Sequence, residues 1–288
     1  MLRRVASTAG WSLITFSLLG LSNSYRFVTS CHEATLPGLT RPVRVAHLSD
    51  LHYGLFVGLG SVRRWVNATL AAKPDLIVIT GDFLDSAFNV RNHPRLMAEL
   101  ARLQAPLGVY AVWGNHDWTS LNTGRVRTDF AERLRVSGVQ LINNAGVQLR
   151  DDLFLAGVDD WWFGEQRLDH ALAGRAGGAV VLLSHNPDYL THVPDVVGLT
   201  LSGHTHGGQV RLPVVGPLKR ATLNQILHGW VRGNTLVTSP AEGYATRSPQ
   251  RTALGYVSRG LGVTGLPLRL NCPAELVILD LAPPVARA

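Results

Sequence analysis

From Arg41 onward the apolar positions follow one rule in the first half of the chain and another in the second. Val43 to Leu48 is a short β-rich run that stops at Ser49-Asp50, followed by a glycine-bearing loop over 53–60 and a helical stretch over Ser61–Ala72. Leu76 to Ile79 is an unbroken apolar run, the pattern of a strand buried on both faces, and it leads straight into Gly81-Asp82. A second helix over Pro94–Leu103 leads to the strand Val109–Trp113, which stops at Gly114-Asn115-His116-Asp117. After a helix at Arg125–Val136 the runs shorten, with strands predicted at 140–142, 147–149, 153–158, 180–184, 199–202, 210–212, 234–238, 253–258 and 276–280. One helix, near Leu168–Gly174, interrupts them. These elements predict an α/β fold in which a mixed sheet from the first half packs face to face on a sheet from the second, with helices outside.

With 288 residues, 46% of them hydrophobic and 16% charged, the chain has ample apolar side chain for a core, which excludes disorder. The net charge of +7 is uneven, since residues 210–288 hold nine Lys and Arg against three acids. Such a balance suits nucleic acid, an anionic membrane surface or a phosphorylated substrate, and charge alone does not choose among them. Two cysteines, Cys31 and Cys272, make neither a disulfide framework nor a thiolate metal site, so any metal must be held by oxygen and imidazole.

Between Arg4 and Arg26 no residue is charged, and Trp11 to Leu21 is the most apolar part of that window. Residues 1–24 are therefore expected to form a signal anchor or a cleaved signal peptide ahead of one domain over 25–288. Arginines flank the segment on both sides, so its orientation stays open.

Each of the first-named strands ends in an acid, an amide or an imidazole. Asp50 and His52 follow the first, Asp82 the second, Asn115 and His116 the third, His185 the 180–184 strand, and His204 and His206 the 199–202 strand. Taken singly these are helix caps, turn formers or hydrogen-bonded histidines. Together they converge, because ligands gather at the carboxyl ends of strands in open α/β sheets. Oxygen and imidazole donors suit manganese, iron or zinc, and two such ions roughly 3.5–4 Å apart would clamp both oxygens of a phosphoryl transfer.

The blocks Asp50-Leu-His52, Gly81-Asp82, Gly114-Asn115-His116-Asp117, His185 and Gly203-His204-Thr205-His206 resemble, in order, those of the calcineurin-like metallophosphoesterases. The longer strings Leu48–Gly54, Leu183–Asp188, Gly203–Val210 and Tyr256–Gly262 resemble the YaeI/YkuE-type bacterial membrane-associated phosphodiesterases, relatives of UDP-2,3-diacylglucosamine hydrolases of the lipid A pathway. The resemblance implies a four-layer α/β/β/α sandwich of two mixed sheets. It implies two divalent transition metals, manganese favoured, one held by Asp50, His52, Asp82 and His206 and the other by Asp82, Asn115, His185 and His204. It also implies a hydroxide between the ions as nucleophile and catalytic roles for His116, facing the phosphate, and Asp117, fixing the His116 tautomer. Arg259, inside the last string, is the candidate substrate-binding residue among the basic side chains of the C-terminal third.

These implications lead to a metal-dependent hydrolase of a phosphodiester or pyrophosphate, acting on a phosphorylated small molecule or a lipid-linked substrate. It would be held at a bacterial inner membrane through the N-terminal segment, with export as the alternative. A nuclease or cyclic-nucleotide phosphodiesterase, and a tethered metal-binding protein without catalysis, are the competing readings. The absence of an aromatic-basic strand pattern speaks against nucleic acid. Trp161-Trp162-Phe163 and Leu55-Phe56-Val57 are apolar stretches in loops that either close the core or meet acyl chains, and His47 and His93 are expected to be structural.

Overall fold

The computed structural model describes residues 24–85, 93–224, 226–232, 237–238, 245–246 and 253–285. The first sheet contains β1 (Phe27–Thr35), β2 (Val43–Leu48), β3 (Leu76–Thr80), β4 (Val109–Val112) and β5 (Val139–Leu141). The second contains β6 (Ala145–Arg150), β7 (Leu153–Gly157), β8 (Ala179–Leu183) and β9 (Leu199–Ser202). Two short ribbon strands, β10 (Arg211–Leu212) and β11 (Gly216–Pro217), precede β12 (Gly229–Arg232), and a second ribbon pairs β13 (Val237–Thr238) with β14 (Ala245–Thr246). The chain closes with β15 (Leu254–Val257) and β16 (Ala274–Ala282). The helices are α1 (Leu59–Ala71), α2 (Pro94–Leu100), α3 (Asn115–Ser120), α4 (Gly124–Val136) and α5 (Leu168–Leu172).

The sheet orders are β1-β16-β2-β3-β4-β5 and β12-β15-β9-β8-β7-β6. Strands β2 to β5 run parallel, as do β7, β8, β9 and β15, while β16 is antiparallel to β2 and β6 to β7. Both sheets are thus mixed, as expected. One assignment is corrected. The run at 276–280 was expected in the second sheet by chain order, yet β16 enters the first, between β1 and β2. Its residues from Ala274 to Leu279 are all buried, and only a central position covers both faces of such a strand.

Strand parity explains the layers. Val43 and Val45 point between the sheets and meet Leu155, Val181, Leu183 and Leu201, whereas Ala46 and Leu48 point outward beneath Val62, Trp65 and Val66 of α1. On the far side Phe154, Ala156, Val180 and Leu182 pack against Ala171 of α5 and the 3₁₀ turn Pro187–His192. The result is the four-layer α/β/β/α sandwich. His47 sits in the buried layer with its Nε2 2.8 Å from Thr80 Oγ1, a structural placement. No helix among the described residues is long and apolar enough to cross a membrane, and the apolar window through residue 23 lies outside them.

Candidate metal centre

Because β2, β3 and β4 are parallel within one sheet and β8 and β9 within the other, their carboxyl ends open onto one rim. The backbone turns sharply where each ligand leaves its strand. Asp50, His52, Asp82, His204 and His206 all have φ between 46° and 70°, a conformation costing a non-glycine residue about 1–3 kcal/mol. The turns also pack against one another. A Cβ on Gly114 would lie 2.2 Å from Asp82 Oδ1, and one on Gly203 would lie 1.8 Å from Ser49 Oγ, so neither position accepts a side chain.

All seven expected ligands are buried and meet in one place. His52 Nε2 lies 3.0 Å from His206 Nε2 and 3.4 Å from Asp82 Oδ2, and His206 Nε2 lies 3.5 Å from Asp50 Oδ1. In the adjoining group His185 Nε2 lies 3.0 Å from Asn115 Oδ1 and 3.3 Å from the same Asp82 Oδ2, while His204 Nδ1 lies 2.7 Å from Asn115 Oδ1. Asp82 Oδ2 therefore belongs to both groups. Donors bound to one cation at about 2.0–2.2 Å stand roughly 3 Å apart, which is the spacing seen. The chemistry fits as well. Facing imidazole nitrogens, His52 Nε2 and His206 Nε2 at 3.0 Å and His185 Nε2 and His204 Nδ1 at 3.2 Å, gain little from each other. Seven polar groups buried this way are costly unless cations complete them. His185 is oriented from behind, its Nδ1 2.6 Å from the carbonyl of Thr80, which turns Nε2 toward the donors.

Electrostatics sets the protons. Burial keeps His52, His204 and His206 neutral, lowering His52 to about 3. Burial opposes a proton on His185 too, but the charge and hydrogen bond of Asp82, with Asp50 and Asp160, prevail and raise it to about 10. Burial also pushes Asp50 up to about 6. Without cations, His185 thus carries a proton that a metal must displace. Affinity for the cation beside His185 is expected to rise at least about tenfold per pH unit from pH 7 to 9, as binding displaces the His185 proton and, below about pH 8, that of Asp117 too, while affinity for the cation beside Asp50 rises with pH below about pH 6. Calorimetry in buffers of different ionisation enthalpy counts the protons, and pH-independent affinity would contradict the assignment.

Around the donors lies a cavity of about 520 Å³. Its lining includes Asp82, Asn115, His116, His204 and His206, the apolar Val210, Leu218, Leu223 and Leu266, and Trp162, Lys219 and Arg220. His116 is half-buried, with its ring 4.7 Å from that of His52 and its backbone N–H donated to Asp82 Oδ1. The carboxylate of Asp117 accepts the backbone N–H groups of Asp82, Phe83, Leu84 and Gly114, so it holds the turn carrying Asp82. Arg259 packs against the Gly207 turn behind His206. Its Nε and Nη2 donate to buried Glu275, and Lys219 and Arg220 are the basic residues that line the cavity.

The two apolar loops divide. Val57 and Phe56 join the core beneath α1, whereas Trp162 and Phe163 are exposed, Trp162 standing edge-on to His204 at 4.3 Å. His93 is buried ahead of α2, edge-on to Tyr53. Sequence reasoning missed Arg269. It is fully buried, burial lowers it to about 10, and its guanidinium donates to the carbonyls of Arg259, Gly260, Gly262 and Cys272 while Nη2 lies 3.3 Å from His206 Nδ1. The arginine thus fixes the loop behind His206. Its setting, Leu268-Arg269-Leu270, carries no signal that distinguishes it from a surface position.

The family described as calcineurin-like phosphoesterase matches residues 43–208, which span β2 to the last pair of histidines. Among curated proteins, an uncharacterized metallophosphoesterase of Bacillus subtilis, YkuE, is 30% identical over 247 residues, covering 83% of this chain and 78% of that one. The phosphodiesterase YaeI of Escherichia coli is 29% identical over 255 residues, covering 83% and 82%. The UDP-2,3-diacylglucosamine pyrophosphatase LpxG of Chlamydia trachomatis is 28% identical over 268 residues, covering 76% and 78%. With the two sheets, the shared carboxylate and the paired donor groups in place, the chain belongs to the calcineurin-like phosphoesterases and is a metal-dependent hydrolase.

Proposed function

We propose that this protein hydrolyses a phosphodiester or pyrophosphate bond in a lipid-linked substrate such as UDP-2,3-diacylglucosamine, with residues 1–24 tethering the domain to a membrane. The observation that carries this reading is the cavity, whose lining joins donor groups with an apolar wall of Val210, Leu218, Leu223 and Leu266. A phosphate at the donors leaves an attached acyl chain against that wall, where each buried methylene contributes about 0.8 kcal/mol. The likeness to the UDP-2,3-diacylglucosamine pyrophosphatase LpxG points the same way.

Asp50, His52, Asp82 and His206 would hold one divalent cation and Asp82, Asn115, His185 and His204 the other, with manganese favoured. When bound, the pair supplies Lewis acidity toward the phosphoryl oxygens and lowers the pKa of water beside them. His116, at the cavity face of α3, would protonate or stabilise the leaving oxygen. Lys219, in the cavity lining, would steer and hold the anionic group, and Asp117 keeps the Asp82 turn in register.

The reading is tested after manganese reconstitution by comparing detergent-dispersed UDP-2,3-diacylglucosamine with a soluble aryl phosphodiester. The lipid is expected to give kcat/KM at least about tenfold higher, the factor that one or two extra buried methylenes supply. Equal or reversed preference would remove the lipid assignment and leave the hydrolase.

A further inference from the structure

The ribbon β10–β11 turns through Pro213-Val214-Val215, with Val214 fully exposed and Val215 67% exposed. Val214 has φ 67°, an outlier for a β-branched residue. Asparagine or glycine would make this turn with less strain, so the turn is costly in the form it takes. What the valine adds is an apolar side chain projecting into solvent.

This tip does not stand alone. Val210 and Leu218 flank the ribbon, joined by a Leu218 N–H to Val210 O bond of 3.0 Å, and both line the cavity. Beside them the turn carrying Leu266 is tied to Gln209, whose Nε2 donates to the carbonyls of Thr264 and Leu266 and whose Oε1 accepts from Thr264. Leu218 and Leu266 are 63% and 68% exposed. Single exposed apolar residues are ordinary, but Leu218 and Leu266 at the cavity, with Val214 and Val215 on the ribbon tied to them, form a patch. Lys219 and Arg220, both exposed, follow Leu218 directly.

A second observation comes from the other end of the chain. Ser24 Oγ donates to the carbonyl of Pro267 and accepts the N–H of Arg269, so Ser24 is fastened next to Leu266. The apolar run Trp11 to Leu21 ends three residues earlier, a step of at most about 11 Å. A bilayer entered by that run would come within about 11 Å of Ser24, the residue fastened beside Leu266.

We infer that the face bearing Val214, Val215, Leu218 and Leu266 docks on an anionic lipid bilayer, with Lys219 and Arg220 against the phosphate headgroups and the cavity mouth opening at the membrane surface. The valine tip enters the boundary between headgroups and acyl chains, which is how amphipathic surface elements bind membranes. The inference rests on reading the cavity as the substrate site, and adds that substrate reaches it from the bilayer rather than from bulk water.

The test uses the full chain reconstituted into phosphatidylcholine vesicles with and without phosphatidylglycerol. A polarity-sensitive fluorophore is attached through Val215→Cys in a Cys31→Ser background, and a control through Val136→Cys. Val136 is exposed at the end of α4, on the surface that includes Val109 at the start of β4, away from the carboxyl ends of the strands. The 215 probe is expected to shift blue and be quenched by lipid-borne nitroxides, more strongly with phosphatidylglycerol, while the 136 probe stays water-like. A 215 probe as water-like as the control in both vesicles overturns the inference. So does a blue shift without vesicles that grows with protein concentration, which would assign the face to a second copy of the chain.

The pair Val214→Ser and Val215→Ser is expected to lower hydrolysis of vesicle-embedded lipid by roughly tenfold and leave a soluble aryl ester unaffected. An equal fall on both substrates overturns docking. Absence of hydrolysis on any phosphate ester would instead overturn the proposed function, and the probe result would stand apart from it.

Discussion

Asp82→Asn is expected to lower turnover at least about a thousandfold and to reduce bound metal from two equivalents toward one. The substitution conserves size, and the amide oxygen still accepts the His116 N–H that Asp82 Oδ1 now takes at 2.8 Å. What disappears is a charge. Asp50 and Asp82 are the carboxylates among the seven donors, and only Asp82 Oδ2 stands within 3.4 Å of both His52 Nε2 and His185 Nε2. Two cations a few ångströms apart repel strongly, and an anion between them offsets that repulsion. A neutral amide does not. Burial opposes the charge on Asp82, yet His185 and His52 hold its pKa well below the ordinary carboxylate range, so the anion is present at every working pH. Metal content by plasma mass spectrometry and kcat on an aryl phosphodiester check the prediction together. Two tightly held equivalents with wild-type kcat would show that Asp82 is not shared.

The donors were legible in the sequence because each occupies the residue or two after a β-rich run, and parallel strands carry those positions to one edge whatever their separation along the chain. What escaped was non-local. Strand β1 alternates exposed and half-buried positions along its edge and has no apolar run to announce it. Strand β16 falls to the second sheet by chain order, which is the only guide to sheet membership before pairing is known. The same limit applies to Arg259, whose partner Glu275 stands at the head of β16, and to Arg269, whose partners are carbonyls that composition does not display. Asp117 is intermediate. Its motif marked it as important, and its four bonds to backbone N–H groups reveal a further task that residue type alone does not disclose.

That further task makes Asp117→Ala the second large effect, expected as a loss of stability as well as of rate. Three consecutive N–H groups, of Asp82, Phe83 and Leu84, and that of Gly114 point at one buried carboxylate at 2.8–3.3 Å. Alanine leaves these donors without their acceptor in a space too tight for rearrangement, since the Asp82 and Gly114 turns already touch. Each buried group left unpaired costs about 1–3 kcal/mol, so a total near 4 kcal/mol is a moderate figure. For a domain of this size that lowers Tm by roughly 10 °C. Burial and the charge of Asp82 push Asp117 up to about 8 against the pull of its donors, and bound cations favour the ionised form. The loss of Tm should therefore be larger in metal-loaded protein than in metal-free protein near neutral pH. Asp117→Asn is no rescue, because an amide NH₂ would face the N–H groups of one oxygen's side. If Asp117 served only to fix the His116 tautomer, both variants would change the pH profile of kcat and leave Tm within about 2 °C of wild type, and scanning calorimetry on loaded and metal-free protein separates the two cases.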